Sequence, residues 1–288
     1  MSFWSAIIQA IVQGLSEFLP ISSSGHLSLV QHFTGSSGES ALLYSAILHL
    51  GTLVAVFVVF WKQIFELILE AFRMIKDIFT GKFSFKNPTG ARRVIFMLVV
   101  STAILVPFLL IKDYLTAVSE DDSILIEGLC FIYTACLLFI ADRTQNRGKT
   151  AEDMNYKDAV RVGFFQSVAL LPGVSRSGST ISAGLFSGLT REAAVSYSFI
   201  LGIPAILGGC LIEVKDGIEE GVTFNPLYLL LGFVVSAIVG VLSIKLVKYI
   251  SKGDKFKIFW IYTGVLGVAT ITVAVIEIIL GHPITFNV

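Results

Sequence analysis

The chain has 288 residues, a formal net charge of zero, 55% apolar residues and only 15% Asp, Glu, Lys and Arg, where an ordinary soluble domain carries about 25%. With a mean hydropathy of +0.81 it holds too few charges to cover its apolar surface in water. That excludes a soluble globular, disordered or disulfide-framework protein, and the balanced charge carries no nucleic-acid footprint.

The apolar runs are continuous over about 20 residues rather than alternating, which predicts an all-α integral membrane protein and not a barrel. The N-terminal MSFWSAIIQAIVQG has no basic leader region and is expected to belong to the mature protein. A moderately apolar arm over 5–19 is followed by Pro20, a Ser/Gly cluster and a second short run to 36. Spans are predicted at 41–61, 94–111 and 123–141. A second arm over 158–171, Pro172, another Ser/Gly cluster and a short run to 190 come next, then spans at 194–212, 226–244 and 258–280.

Loop charges orient these spans. Residues 62–93 hold seven basic and three acidic groups, 112–127 one and five, 142–161 five and four, 213–220 one and four, and 245–257 five and one. The positive-inside rule places the first, third and fifth loops in the cytoplasm and both termini outside. Six charges lie elsewhere: Glu17, Glu39, Arg176, Arg191, Glu192 and Glu277. Glu39, Arg191 and Glu192 are expected at span entrances and Glu277 is expected to snorkel outward. Glu17 and Arg176 stand inside the two interrupted arms, where an ionisable group is a functional candidate. Cys130, Cys136 and Cys210 sit in apolar runs at no metal-binding spacing and are expected as small core residues.

Residues 22–48 align without a gap on 175–201, with eleven of 27 positions identical, among them Ser22/Ser175, Ser24/Ser177, Gly25/Gly178, Ser45/Ser198 and Leu48/Leu201. The chain is therefore expected to be a single membrane domain of two similar halves, about 1–150 and 151–288. Three spans separate the copies, so the halves enter from opposite sides, an inverted-topology repeat. The arms at 5–19 and 158–171 are too short to span. Pro20 and Pro172 break a helix, and Gly25 and Gly178 permit a tight turn. Six transmembrane helices plus two re-entrant helical hairpins is the predicted architecture, with polar turns meeting near mid-membrane.

The first turn reads QGLSEFLPISSSGH, from Gln13 to His26, and the second PGVSRSGST, from Pro172 to Thr180. Gln13 and Glu17, four apart, share a helix face. Together the turns offer a carboxylate, an imidazole, a guanidinium and a ring of hydroxyls. Arg176 presents a fork suited to phosphate, and Ser/Gly turns at helix N-termini favour anions. Ser22, Ser24, Gly25, Ser175, Ser177, Gly178, Ser179 and Thr180 are the expected phosphate cradle. His26 and Glu17 add nucleophilic or proton-transfer capacity. Glu17 and Gln13 could hold a divalent cation. His32 and His49, with no Ser/Gly turn around them, are expected to be structural, and His282 lies in the tail. The combination points to phosphoryl transfer on a lipid phosphate. A transporter or flippase of a lipid phosphate or small anion uses the same devices, but needs no nucleophile beside a base.

QGLSEFLPISSSGH (13–26) and LLPGVSRSGSTI (170–181) resemble the two signature regions of the bacitracin-resistance type undecaprenyl-diphosphate phosphatases, over essentially the whole chain. The resemblance implies hydrolysis of a C55 prenyl diphosphate to the monophosphate, which recycles the carrier for peptidoglycan and other envelope polymers. It also implies a Mg2+ or Ca2+ requirement, a plasma-membrane location and a site open to the outer face; a homodimer is left open. Glu17 matches the second acidic position of the family's first motif, Ser23 its proposed nucleophile and His26 its histidine. Arg176 matches the arginine of the second motif. Gln13 stands where many members carry Glu.

Overall fold

The computed structural model describes residues 3–34, 39–86, 88–111, 123–144, 147–219 and 225–285. Among them are eleven α-helices and no β-strand: α1 (Phe3–Ser16), α2 (Ser23–Thr34), α3 (Glu39–Val59), α4 (Trp61–Phe79), α5 (Gly90–Leu109), α6 (Leu125–Asp142), α7 (Tyr156–Val168), α8 (Arg176–Phe186), α9 (Arg191–Glu219), α10 (Pro226–Ser251) and α11 (Lys257–Leu280). Five of these, α5, α6, α9, α10 and α11, are long and apolar enough to cross a membrane, and α3 raises the number to six when taken with the bent helix that follows it. The loops at 112–122 and 220–224, and the side chain of Glu39, lie outside the described residues.

The elements begin where local chemistry starts them. Asn155 accepts the Asp158 amide while Asp158 caps the Asn155 amide, a reciprocal box that opens α7. Asn225 caps α10, with Pro226 in its first turn. Gly281 ends α11 in the left-handed conformation, φ 73°, which costs a residue without Cβ little. The four helices of the interrupted arms, α1, α2, α7 and α8, have 14, 12, 13 and 11 residues, all below the roughly 20 that a span requires.

Helix α3 packs on α10 and α9, α6 on α11, α1 on α10, and α7 on α5. The largest core cluster joins Phe18, Phe60, Ile181, Tyr197 and Phe199, with Phe18 and Phe60 set edge-on to Phe199 at 5.2 and 6.1 Å. This apolar floor lies directly beneath the Glu17 turn.

Three expectations are corrected. Residues 62–79 are not a loop but most of α4, bent 87° from α3 at Phe60. Glu277 does not reach outward: it is buried, and its Oε1 accepts from His32 Nε2 and from the Ile284 amide, both at 2.8 Å, because a paired carboxylate is cheaper to keep inside than a lone one. Cys136 is exposed, whereas Cys130 and Cys210 are buried.

Candidate active site

Helix α1 ends at Ser16, and the chain passes through a turn over 17–22 before α2 begins at Ser23. The second arm repeats this between α7 and α8. Ser22 and Ser175 each precede a helix and accept the amide three residues on, Gly25 at 3.2 Å and Gly178 at 3.0 Å, which is N-capping. Gly25 and Gly178 therefore lie in first helical turns and do not make the tight turns expected of them. The left-handed positions are Ser22, φ 73°, and Gly173, φ 90°. Glycine is needed at 25 and 178 for space: a Cβ would come within 2.7 Å of Phe131 at Gly25 and 3.0 Å of Ser175 at Gly178.

The two turns touch. The Gly173 amide donates to Ser24 Oγ at 3.2 Å, and Ser177 Oγ donates to the Leu19 carbonyl at 3.1 Å. Arg176 Nη2 donates to Glu17 Oε1 at 2.6 Å, joining positions 159 residues apart. Helices α2 and α8 thus present their N-terminal turns, whose amides lack intrahelical partners, to one place.

Glu17 is the hub. It is buried, and its Oε2 accepts from Gln13 Nε2 at 2.9 Å and from Ser23 Oγ at 2.8 Å. His49 Nε2 stands 3.5 Å from the same oxygen. Arg176 Nη1 also donates to the Ser198 carbonyl at 3.4 Å. Thr180 Oγ1 donates to the Arg176 carbonyl and pairs with Ser198 Oγ at 2.6 Å. Ser179 is buried, and its hydroxyl has no hydrogen-bond partner among the described residues.

His26 faces away from Ser23. Its Nδ1 contacts the Ser22 carbonyl at 2.6 Å; a carbonyl only accepts, so Nδ1 carries the proton. Nε2 then accepts from the Tyr262 hydroxyl at 2.8 Å, with the two rings stacked 10° from parallel. The Ser23 hydroxyl donates to Glu17 instead, so the geometry offers the carboxylate, not the imidazole, as its base.

Sequence reasoning passed over Tyr262 and set His49 aside as structural. A signal for His49 existed. The aligned repeats end at Leu48 and Leu201, and the next residues are His49, beside Glu17, and Gly202, against Arg176. Ser45 and Ser198, also paired in the repeat, turn their carbonyls to His49 Nδ1 and Arg176 Nη1. The buried ion pair is flanked by equivalent positions of α3 and α9.

The site can bind an anion through Arg176 and two helix N-termini, and can deprotonate a serine through Glu17. Gln13 Oε1 is buried without a partner, a hard oxygen beside the carboxylate, and among the described residues no group of three His, Cys, Asp or Glu converges. Gln13 and Glu17 are the oxygen donors here that could hold a divalent cation.

Two relatives named undecaprenyl-diphosphatase come from Methanosphaera stadtmanae, 41% identical over 279 residues covering 94% of this chain and 98% of the relative, and Alkaliphilus metalliredigens, 40% identical over 268 residues covering 93% and 97%. A third of the same name, from Desulforapulum autotrophicum, is 37% identical over 276 residues, covering 94% and 98%. The family model described as Bacitracin resistance protein BacA matches residues 6–269, and the chain belongs to that family.

Proposed function

We propose that this multi-pass membrane protein hydrolyses undecaprenyl diphosphate to undecaprenyl phosphate and inorganic phosphate, returning the carrier to envelope synthesis. One observation carries the reading: a single buried carboxylate, Glu17, accepts from both the hydroxyl of Ser23 and the guanidinium of Arg176. A nucleophile, its base and a phosphate fork are within one hydrogen-bond shell. A carrier of lipid phosphate needs the cationic and hydroxyl groups but not a serine already donating to a buried carboxylate.

The terminal phosphoryl group lies against Arg176 and the first-turn amides of α2 and α8, and the prenyl chain stays in lipid. Ser23 Oγ bonds to the terminal phosphorus as its proton passes to Glu17 Oε2. The bond to the bridging oxygen breaks, and that oxygen leaves on undecaprenyl phosphate with the proton from Glu17. Water then attacks the phosphoserine and gives its proton to Glu17. Ser23 Oγ departs and recovers that proton. Ser22, Ser24, Ser175, Ser177, Ser179 and Thr180 shape the cradle, and His26 holds the Ser22 carbonyl and so the start of α2. A Mg2+ or Ca2+ ion held by Gln13 and Glu17 would neutralise charge on the diphosphate. Preorganised donors of this sort are usually the largest catalytic contribution.

The architecture that suits this chemistry is six spans plus two re-entrant hairpins in two inverted halves. The exchange of partners supports it, α1 packing on α10 as α7 packs on α5, as do the short arms. The family resemblance implies a plasma-membrane location with the site open to the outer face, and loop charges orient both termini outward.

The test is phosphate release from C55 prenyl diphosphate by purified protein in detergent, where no gradient exists. Release is expected, and its absence overturns the activity. Quenched labelled enzyme should yield phosphoserine at Ser23; label on His26 overturns the assignment of the nucleophile.

A further inference from the structure

Among the described residues helix α4 has no counterpart in the second half, where α9 runs on to Glu219. It leaves α3 at 87° and is fixed at its far side by Arg92 of α5, whose Nε and Nη2 donate to Glu70 and Asp77, each at 2.7 Å. Helix α5 is a candidate span by itself and α3 is the more apolar arm of the bent pair, so a helix held at a right angle to α3 and clamped to α5 is placed to lie along the membrane plane.

At about 100° per residue, α4 has three faces. Ile64, Leu67, Ala71 and Met74 turn inward, and Ile64 is buried. Lys62, Glu66, Glu70, Arg73 and Asp77 make a polar face. Between them Trp61, Phe65, Ile68, Phe72, Ile75 and Phe79 form a stripe with no cover, Phe72 65% and Phe79 86% exposed. A face this apolar on a polar-backed helix needs an occupant. Continuity with a membrane span at one end, and the right angle there, argue for lipid at headgroup depth.

Charge narrows the lipid. Glu70 and Asp77 are engaged by Arg92, and Glu70 also by Arg73. This leaves Lys62, Lys76, Lys82 and Lys86 against Glu66, all exposed, a net positive charge on α4 and the segment that follows it, which suits an anionic headgroup surface.

We propose that α4 is an interfacial anchor that seats its aromatic stripe in the membrane surface beside anionic phospholipid. The inference is independent of the catalytic reading.

The test uses the full chain in phospholipid vesicles carrying brominated lipids, with Trp61 isolated as the difference between the wild-type protein and Trp61→Phe. Lipid brominated high on the acyl chain should quench this signal at least about twofold more than lipid brominated near its end, since such a helix sits about 5–10 Å into the boundary. At equal mole fraction, brominated phosphatidylglycerol should quench at least about twofold more than brominated phosphatidylcholine. The combined change Lys62→Gln, Lys76→Gln, Lys82→Gln and Lys86→Gln should bring the two to parity. Stronger quenching by deep bromine overturns the proposal in favour of a spanning helix. No quenching overturns it in favour of cover by protein, such as a second copy. Equal quenching by the two headgroups in the wild-type chain overturns the anionic preference.

Discussion

Gly202 tests whether the position of Arg176 limits turnover. A Cβ built on Gly202 would lie 2.9 Å from Arg176 Cζ and 3.0 Å from Nη2, and would collide with Nη1. Comfortable separation is about 3.5–4.0 Å, so Gly202→Ala must drive the guanidinium back by roughly 1–1.5 Å, Nη1 being the closest atom. Overpacking costs about 1–3 kcal/mol, and the better helix propensity of Ala returns up to about 1 kcal/mol, so the protein should still fold. Activity should suffer more, because a displacement near 1 Å at a positioning group can cost about 100-fold. Gly209, seven residues further along α9, is the control: a Cβ there meets nothing within 4 Å. Gly209→Ala should keep normal kcat/KM for phosphate release in detergent. If Gly202→Ala matches Gly209→Ala in kcat/KM, the close approach of Arg176 to α9 is not what holds the fork in place.

Glu17→Gln should lower kcat by at least about 100-fold, by removing the base, and should lower thermal stability, since breaking a buried ion pair costs about 3–5 kcal/mol; near-normal turnover removes Glu17 from the chemistry. His49→Leu should reduce kcat/KM about tenfold, about 1.4 kcal/mol, by removing the imidazole that stands 3.5 Å from the carboxylate, and unchanged kinetics would return His49 to a packing role. Ser22→Ala should lower the thermal midpoint, losing a cap worth about 1 kcal/mol, while Ser22→Gly should not, because glycine accepts the left-handed φ and also starts helices well; a Gly variant as unstable as Ala argues against strain at this turn. Chelation should suppress phosphate release and Mg2+ or Ca2+ should restore it, and activity indifferent to chelator rejects a cation at Gln13 and Glu17.

Much of this protein is legible without coordinates, because a bilayer imposes a simple code. Apolar length marked the spans: Lys257–Leu280 follows the expected 258–280 closely, while Pro226–Ser251 starts where expected and runs on past 244. The duplicated Ser/Gly turns marked the residues that converge, because ionisable groups in a membrane segment must find partners. The character of α4 was also present, as a regular apolar stripe, but a count of loop charges conceals periodicity.

What the order of residues does not contain is direction. Ser23 and His26, three residues apart, suggest a nucleophile with its base, yet the first turn of α2 sends the hydroxyl to Glu17 and the imidazole to Tyr262. His49 looks like an ordinary histidine of an apolar helix until α3 packs beside the turn. Glu277 sits near a helix end, and the His32 imidazole and the Ile284 amide keep it inside. Length, hydropathy and repetition are properties of the chain and survive in its one-dimensional record. Which oxygen meets which proton depends on rotamers and on helices that approach from distant segments, and that is settled only when the fold closes.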